Sequence, residues 1–306
     1  MNSIGYTKPL FILPFDHRSS FTKGLFGIEG RELTSEETQR VTEAKTIVYE
    51  SLKKAIANGV PREDTALLVD EEYGSSILED AKKEGIATIL TTEKSGQEEF
   101  EFEYGDKFQE HLEQFKPTFV KALVRYNPEG DKRINHNQLE KLKVLSDYCH
   151  SHAFKFLIEP LIPATKKQLE EVNNNGEQYD DVIRPQLEVE MMEQMQRAGV
   201  EPDVWKIEGM DYARDYFKVS EQAQSGGKTN VGIVVLGRAA EKDEVEKWLT
   251  AGIGVPGVIG FAVGRTIFWK PLEDWRDEKI TRDEAIDQIS KHYEEYCQLF
   301  LNAFKK

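Results

Sequence analysis

The residue with the clearest capacity for covalent chemistry is Lys206, in the middle of the short apolar run 202–210. Because the run follows a turn-like segment and reaches a glycine, Gly209, we expect a buried strand closed by a loop. Burial and a nearby cation each lower the pKa of a lysine side chain, and a neutral amine can attack a carbonyl carbon to form a Schiff base. The alternative is a structural lysine paired with Glu208 or another acid.

Two other apolar runs carry charged residues in alternating phase. Lys121 and Arg125 share one face of the fourth run, and Glu159 lies in the fifth. If these faces and Lys206 meet in one pocket, a cation would lower the pKa of the nucleophile. The carboxylate would then move protons during carbinolamine dehydration and carbon–carbon cleavage. The alternative for Lys121 and Glu159 is a buried structural salt bridge.

A glycine followed by an arginine occurs at the ends of the last two apolar runs, as Gly237-Arg238 and Gly264-Arg265. Glycine lets backbone N–H groups approach an anion, and the arginine guanidinium forms a planar fork for its oxygens. Phosphate sites of α/β barrels are commonly built after strands seven and eight. We therefore expect a phosphate site here, although either arginine alone could be an exposed residue after a turn glycine.

Eight short apolar runs alternate with helical stretches, which favours a single-domain (β/α)8 TIM barrel over residues 1–306. A doubly wound open sheet is disfavoured because no GxGxxG motif follows the first run. The predicted strands are 10–15, 66–69, 86–90, 119–126, 154–161, 202–210, 231–236 and 257–263.

Composition narrows the class of partner. The chain has 306 residues and a net charge of -15, which argues against nucleic acid, since phosphate backbones attract basic surfaces. The two cysteines, Cys149 and Cys297, make neither a disulfide framework nor a CxxC site and suit a reducing cytoplasm. The N-terminal stretch lacks a basic start and a cleavage region, and no run approaches the roughly 20 apolar residues of a membrane span. These features predict a cytoplasmic protein with a small-molecule substrate.

Several motifs occur in the same order as in a known family. With LVDEEYG at 68–74, EKSG at 93–96, VK at 120–121, LIE at 157–159, DVWKIE at 203–208 and GR at 264–265, the sequence resembles class I tagatose-1,6-bisphosphate aldolases and the related sulfofructose-phosphate aldolases. With PFDHRSSF at 14–21, VRYNPEGD at 124–131 and WKIEG at 205–209, it is also similar to a bacterial domain fused to the 5-dehydro-2-deoxygluconokinase of inositol catabolism. That domain is of the 2-deoxy-5-keto-gluconate-6-phosphate aldolase type.

The resemblance implies a lyase that needs no metal and no cofactor. It implies that Lys206 forms the Schiff base, that Glu159 transfers protons and that Lys121 is the neighbouring cation. The implied reaction cleaves a phosphorylated keto-sugar or keto-sugar acid. With 2-deoxy-5-keto-gluconate 6-phosphate the products would be dihydroxyacetone phosphate and 3-oxopropanoate.

The resemblance also implies substrate-binding residues. Asp16 and Arg18 match an Asp-x-Arg after the first strand, and Gly264-Arg265 matches a phosphate-binding turn. One of Arg18, Lys121 and Arg125 could meet a substrate carboxylate. The chain departs from the tagatose enzymes at Gly209-Met210-Asp211 and at Gly237-Arg238, which leaves the identity of the sugar open.

Other interpretations stay open at this point. One is an aldolase for another ketose phosphate, and a second is a non-catalytic sugar-phosphate-binding barrel. A third is a divalent-metal aldolase that uses Asp70, Glu71 or His17, although a solvated acidic loop is the simpler explanation for Asp70 and Glu71. The acidic and aromatic segment 97–117 predicts either a short strand or an excursion over the barrel mouth, and a homo-oligomer is possible.

Overall fold

Eight parallel strands close into one barrel in sequence order, β1 to β8, in a computed structural model that describes residues 4–304. The predicted (β/α)8 barrel is therefore confirmed. The strands are β1 (Leu10–Pro14), β2 (Thr65–Val69), β3 (Ala87–Thr91), β4 (Phe119–Arg125), β5 (Lys155–Leu161), β6 (Val204–Glu208), β7 (Gly232–Leu236) and β8 (Val258–Ala262).

Twelve α-helices surround the barrel in the described part of the chain, together with four short 3-10 or π segments. They are α1 (Ser19–Phe26), α2 (Ser35–Ala57), α3 (Glu71–Lys83), α4 (Phe108–Phe115), α5 (Lys132–Ser151), α6 (Lys166–Glu171), α7 (Gly176–Gln178), α8 (Arg184–Arg197), α9 (Ala213–Ala223), α10 (Lys242–Gly252), α11 (Arg265–Arg276) and α12 (Arg282–Phe304). The segments α1, α6, α7, α10 and α11 were not predicted to be helical. Glu71, assigned from the sequence to a solvated acidic loop, lies in the first turn of α3, which Asp70 caps by accepting from Tyr73 N.

Alternation along the strands divides the barrel interior into two halves. The lower half is apolar, because inward residues such as Phe119, Leu157 and Val204 belong to a separate buried cluster inside the ring. The next inward position on each of β4, β5 and β6 is charged. Lys121 follows Phe119 in phase, as Glu159 and Lys206 follow the other two. The sequence period thus places the ionisable groups at the carboxyl ends of the strands.

A glycine in β8 lets the last strand meet the first. Leu10, Phe11 and Ile12 pair with Gly260, Phe261 and Ala262. A Cβ atom at Gly260 would lie 1.9 Å from the carbonyl oxygen of Leu10, closer than any real contact. Glycine at 260 therefore permits the close approach that completes the ring.

The segment 97–117 folds back on the end of β3. Glu93 and Phe102 form an antiparallel bridge, and Glu103 N donates to Thr92 O at 2.9 Å. The ring of Phe102 stacks on Phe108 of α4 with centroids 4.2 Å apart. The segment is thus a short ribbon near the barrel mouth, held by its aromatic side chains.

A buried lysine fixes the turn that follows β1. The Lys45 side chain is fully buried on α2, and its amine donates to Phe15 O at 2.9 Å and His17 O at 3.0 Å. Its third contact is a salt bridge to the buried Asp70 carboxylate. All three donors of the ammonium are satisfied, so one side chain joins the ends of β1 and β2.

A second buried charge cluster lies under α8. The Arg184 guanidinium donates to Asp180 Oδ1 at 2.9 Å and to Gly209 O at 2.6 Å. The Glu188 carboxyl is 3.7 Å from Arg184 Nη1, and neither of its oxygens accepts a hydrogen bond within the described chain. Burial raises the pKa of Glu188 to about 8, despite the opposing effect of Arg184.

Between residues 4 and 304, no helix combines the length and the apolar character needed to cross a membrane.

Lys45→Met should lower the free energy of unfolding by about 3–5 kcal/mol, because it leaves the Asp70 carboxylate buried without its counter-ion. Denaturant titration measures this loss, and Lys45→Met/Asp70→Asn should recover part of it. Lys54→Met, on the same helix but with a side chain 42% exposed, should change the free energy by less than about 1 kcal/mol. Equal losses in Lys45→Met and Lys54→Met would contradict the assigned role.

Glu188→Gln should remove a pH dependence of stability. Because the pKa of Glu188 is about 8 in the folded state against 4.5 as the reference value, the folded state binds the extra proton. Its contribution to stability is therefore lost as the pH rises from 4.5 towards 8. Denaturant titrations at several pH values should show that the free energy of unfolding of the variant rises relative to that of the unsubstituted protein as the pH increases. Glu193→Gln, on the solvent side of α8, should show no such trend.

Candidate active site

A pocket of about 480 Å³ opens at the carboxyl ends of the strands, above the apolar half of the barrel. Its lining comes from β4 to β7 and from the segments that follow β1, β3, β7 and β8. The site residues predicted from sequence that line it are Asp16, Arg18, Lys121, Arg125, Glu159, Lys206, Arg238 and Arg265. The fold therefore brings these eight side chains to one cavity.

Lys206 and Glu159 meet on neighbouring strands. The Lys206 amine lies 2.6 Å from Glu159 Oε1, and the two residues are 4% and 7% exposed. Glu208, the acid weighed as a partner from sequence, contacts Arg238 instead. The contact between Lys206 and Glu159 places a proton acceptor directly against a primary amine at the base of a pocket.

Lys121 is surrounded by three carboxylates from three different strand ends. Its amine donates to Glu93 Oε1 at 2.5 Å and Asp16 Oδ2 at 3.0 Å, and lies 3.1 Å from Glu159 Oε2. Burial opposes the charge of Lys121, but the three acids raise its pKa well above the usual value. Lys121 is thus a permanent cation that holds the three carboxylates in place. Glu159 connects it to Lys206, because the two oxygens of Glu159 contact the two amines.

The three acids around Lys121 differ in their protonation. Burial raises the pKa of each, but Lys121 and Lys206 outweigh it for Asp16 and Glu159, whose pKa values fall below the usual range. For Glu93 burial prevails, and its pKa is raised. Glu93 Oε2 also lacks a hydrogen-bond partner among residues 4–304. Glu93 is consequently the acid of this group that most readily takes up a proton.

Arg265 is an arginine without a partner at the start of a helix. It is the first residue of α11, whose first turn has no side-chain cap, and its side chain makes no hydrogen bond or ion pair with the rest of residues 4–304. A Cβ atom on the preceding Gly264 would lie 2.3 Å from Pro14 O, so the turn requires glycine. Free N–H groups at a helix start and a guanidinium together suit a phosphate.

The other Gly-Arg turn is arranged differently. Arg238 lies 2.7 Å from Asp180 Oδ2 and 3.0 Å from Glu208 Oε1, so its charge is already paired within the protein. Its φ of 51° and the close packing of Gly237 on Val263 turn the chain sharply after β7. The two turns look alike in sequence, but the Arg238 guanidinium is already paired with carboxylates, whereas that of Arg265 can bind an anion.

Arg18, Arg125 and His17 complete the wall near β1 and β4. Arg18 Nη1 donates to Glu103 Oε2 at 2.5 Å, whereas the Arg125 side chain has one hydrogen bond within residues 4–304, from Nη1 to Gln97 O at 2.6 Å. Burial lowers the pKa of His17 to about 4, so the imidazole is neutral at neutral pH. His17 therefore adds a neutral polar group, while Arg125 keeps most of its guanidinium donors available.

Two residues of the site network were missed as functional residues by the sequence analysis. Glu93 lies two residues past the end of β3, the position at which an acid in a barrel points to the mouth. Lys45 lies on the apolar face of α2 together with Val41 and Val48. A lysine on such a face indicates a buried hydrogen-bond or ion-pair partner.

The acids considered for a metal site have other partners. Asp70 binds Lys45 and caps α3, and Glu71 lies 2.8 Å from His111 Nδ1. Within residues 4–304, no group of three or more His, Cys, Asp and Glu side chains has the spacing of a metal centre.

Solved structures with a similar fold include three TIM-barrel proteins of low sequence identity. Cgl0159 from Corynebacterium glutamicum aligns over 93% of this chain and 85% of its own, with a TM-score of 0.57 and 13% identity. A Schiff-base-forming fructose-1,6-bisphosphate aldolase aligns over 95% and 94%, with a TM-score of 0.58 and 14% identity. An archaeal fructose 1,6-bisphosphate aldolase gives the same coverage and identity with a TM-score of 0.59. At these identities the similarity establishes the fold.

No curated protein matches the chain in sequence. A family model matches residues 4–303, nearly the whole barrel. The chain therefore belongs to the DUF2090 family, described as an uncharacterized protein conserved in bacteria.

Proposed function

We propose that this protein is a class I aldolase that cleaves a phosphorylated keto-sugar through a Schiff base on Lys206. The observation that carries the proposal is the 2.6 Å contact between the Lys206 amine and Glu159 Oε1 at the base of the barrel-mouth pocket. The unpartnered Arg265 at the start of α11 supports a phosphorylated substrate. The fold likeness to a Schiff-base-forming fructose-1,6-bisphosphate aldolase supports the same reaction class.

The first half of the reaction joins the substrate to the enzyme. Glu159 accepts a proton from Lys206, and the neutral amine attacks the C2 carbonyl carbon of the ketose. A nitrogen–carbon bond forms while the carbonyl electron pair moves to oxygen, and a proton passes from the new ammonium nitrogen to that oxygen to give a neutral carbinolamine. Glu159 then returns a proton to that hydroxyl, water leaves, and an iminium remains.

The second half breaks the C3–C4 bond. A base, Glu159 directly or through water, removes the proton of the C4 hydroxyl, and the oxygen electron pair forms the aldehyde C=O. The C3–C4 electron pair moves to C3 and into the iminium, giving an enamine. Protonation at C3 and hydrolysis release dihydroxyacetone phosphate and free Lys206. Lys121 keeps the Glu159 carboxylate oriented throughout, because it contacts Oε2 while Lys206 contacts Oε1.

The best candidate substrate is 2-deoxy-5-keto-gluconate 6-phosphate, which would release 3-oxopropanoate as the aldehyde. The sequence resemblance to the domain of inositol catabolism supports it, and a tagatose-bisphosphate-like ketose is the alternative. A panel of phosphorylated ketoses distinguishes them. The metal-dependent alternative has little support, since Asp70 and Glu71 are engaged by Lys45 and His111.

Reduction with borohydride in the presence of dihydroxyacetone phosphate should attach the substrate carbon chain to Lys206, because hydride traps the iminium as a stable amine. Peptide mass spectrometry locates the adduct. Lys206→Ala should form no adduct and lose turnover, while dihydroxyacetone phosphate still binds in a calorimetric titration. Lys218→Ala, an exposed lysine on α9, should behave as the unsubstituted protein. No adduct on the unsubstituted protein, with binding intact, would favour a non-catalytic sugar-phosphate-binding barrel.

Glu159→Gln should lower kcat by about 10²- to 10⁴-fold, because the amide fills the same space but cannot accept the proton. KM should change much less, since the phosphate contacts of Arg265 are retained. Steady-state kinetics over a pH range separates the two effects. Glu140→Gln, an exposed acid on α5, is the control, and a Glu159→Gln enzyme with normal kcat would remove Glu159 from the mechanism.

A further inference from the structure

The pocket is electropositive in an acidic protein. Seven lysines and arginines line it against five acids, although the whole chain has a net charge of -15. Four of these cations, Arg18, Lys121, Lys206 and Arg238, contact carboxylates. The other three, Lys94, Arg125 and Arg265, form no ion pair within the described chain. A pocket with spare positive charge is suited to a substrate that brings more than one negative group.

The spare charges lie on opposite sides of the nucleophile. Arg125 ends β4, and Arg265 follows β8. In a closed ring of eight strands in sequence order, β4 and β8 face each other, and β6 with Lys206 lies midway between them. A substrate whose carbonyl carbon reaches Lys206 and whose phosphate binds Arg265 therefore extends its other end towards β4.

The two arginines differ in what surrounds them. The helix start beside Arg265 has no side-chain cap, whereas α5, the helix after β4, is capped by Asp131, which accepts from Arg133 N and Ile134 N at 2.8 and 3.0 Å. An anion at Arg125 thus meets a guanidinium without free helix N–H groups. This suits the single charge and planar shape of a carboxylate better than a phosphate dianion.

The orientation of Arg125 is fixed before any substrate arrives. Its Nη1 donates to Gln97 O at 2.6 Å, which leaves Nη2 and Nε for a ligand. Lys94, exposed on the neighbouring turn after β3, adds a second positive charge on this wall of the pocket. A guanidinium held by the protein loses less side-chain entropy on binding than a mobile one.

We infer that Arg125 is the specificity-determining residue for the aldehyde half of the substrate. It binds an anionic group, carboxylate or phosphate, at the end of the substrate remote from the Arg265 phosphate. The substrate class is then a keto-sugar phosphate with a negative charge at each end. This inference rests on the proposed aldolase function.

Condensation with dihydroxyacetone phosphate as the common donor tests the inference. The acceptors are 3-oxopropanoate, glyceraldehyde 3-phosphate and uncharged glyceraldehyde. The unsubstituted enzyme should favour an anionic acceptor over glyceraldehyde by about 10- to 100-fold in kcat/KM, the range of a charged hydrogen bond. Arg125→Gln should abolish this preference, because kcat/KM should fall about 10- to 100-fold for the anionic acceptors and much less for glyceraldehyde. The faster of the two anionic acceptors identifies the group, and the capped α5 predicts the carboxylate.

Two variants sharpen the comparison. Arg125→Lys retains the positive charge but not the planar guanidinium, and it should show part of the preference that Arg125→Gln loses. Arg133→Gln removes an exposed charge close in sequence and should keep all of it. Circular dichroism and the thermal midpoint verify that each variant is folded.

Two results would overturn the inference: an enzyme that accepts glyceraldehyde as well as the anionic aldehydes, or an Arg125→Gln variant that loses all three acceptors equally. Borohydride trapping of dihydroxyacetone phosphate, which occupies only the phosphate half, should still label Lys206 in Arg125→Gln. Failure of trapping on the unsubstituted enzyme would instead refute the aldolase function, so the two failures are distinguishable.

Discussion

The contact on which the active-site region depends is the ammonium of Lys121 among three carboxylates. Asp16, Glu93 and Glu159 come from the ends of β1, β3 and β5, and each would repel the other two if the lysine were absent. Lys121 therefore joins strands that are not all neighbours in the ring. Because it holds one oxygen of Glu159, the other oxygen is left for Lys206, so the same charge positions the two residues that we propose as proton acceptor and nucleophile.

The strands were predictable because two features of the sequence agree: each strand is a short apolar run, and polar or glycine-containing turns close it. In the structure, parallel pairing aligns equivalent positions of neighbouring strands. Lys121, Glu159 and Lys206 could therefore be placed in one pocket from phase alone. The helices α10 and α11 were missed because neither follows a residue whose side chain caps its first turn, so each lacks the strongest start signal.

The pairing of charges could not be predicted in the same way. The alternation of residues along a strand predicts that a side chain points inward. It does not predict which of several inward acids that side chain contacts. That choice depends on distances across the ring, and it separates Arg238, which is neutralised by Glu208, from Arg265, which is not. The role of Lys45 likewise depends on carbonyl groups about thirty residues away in sequence, although its apolar-face position marks it as unusual.

Because of the glycine at 264, the two ends of the pocket differ in how well they tolerate substitution. Its turn lies against Pro14 O of β1, so any side chain there would push apart the strands that close the ring. Under the proposed function, the phosphate-binding end is thus tied to the integrity of the barrel, so substitutions cannot accumulate there gradually. The β4 end has no such constraint, since the Arg125 side chain makes one hydrogen bond within residues 4–304, to a loop carbonyl. On this proposal, proteins that share the barrel can diverge in the aldehyde they bind while they keep the same phosphate-binding turn.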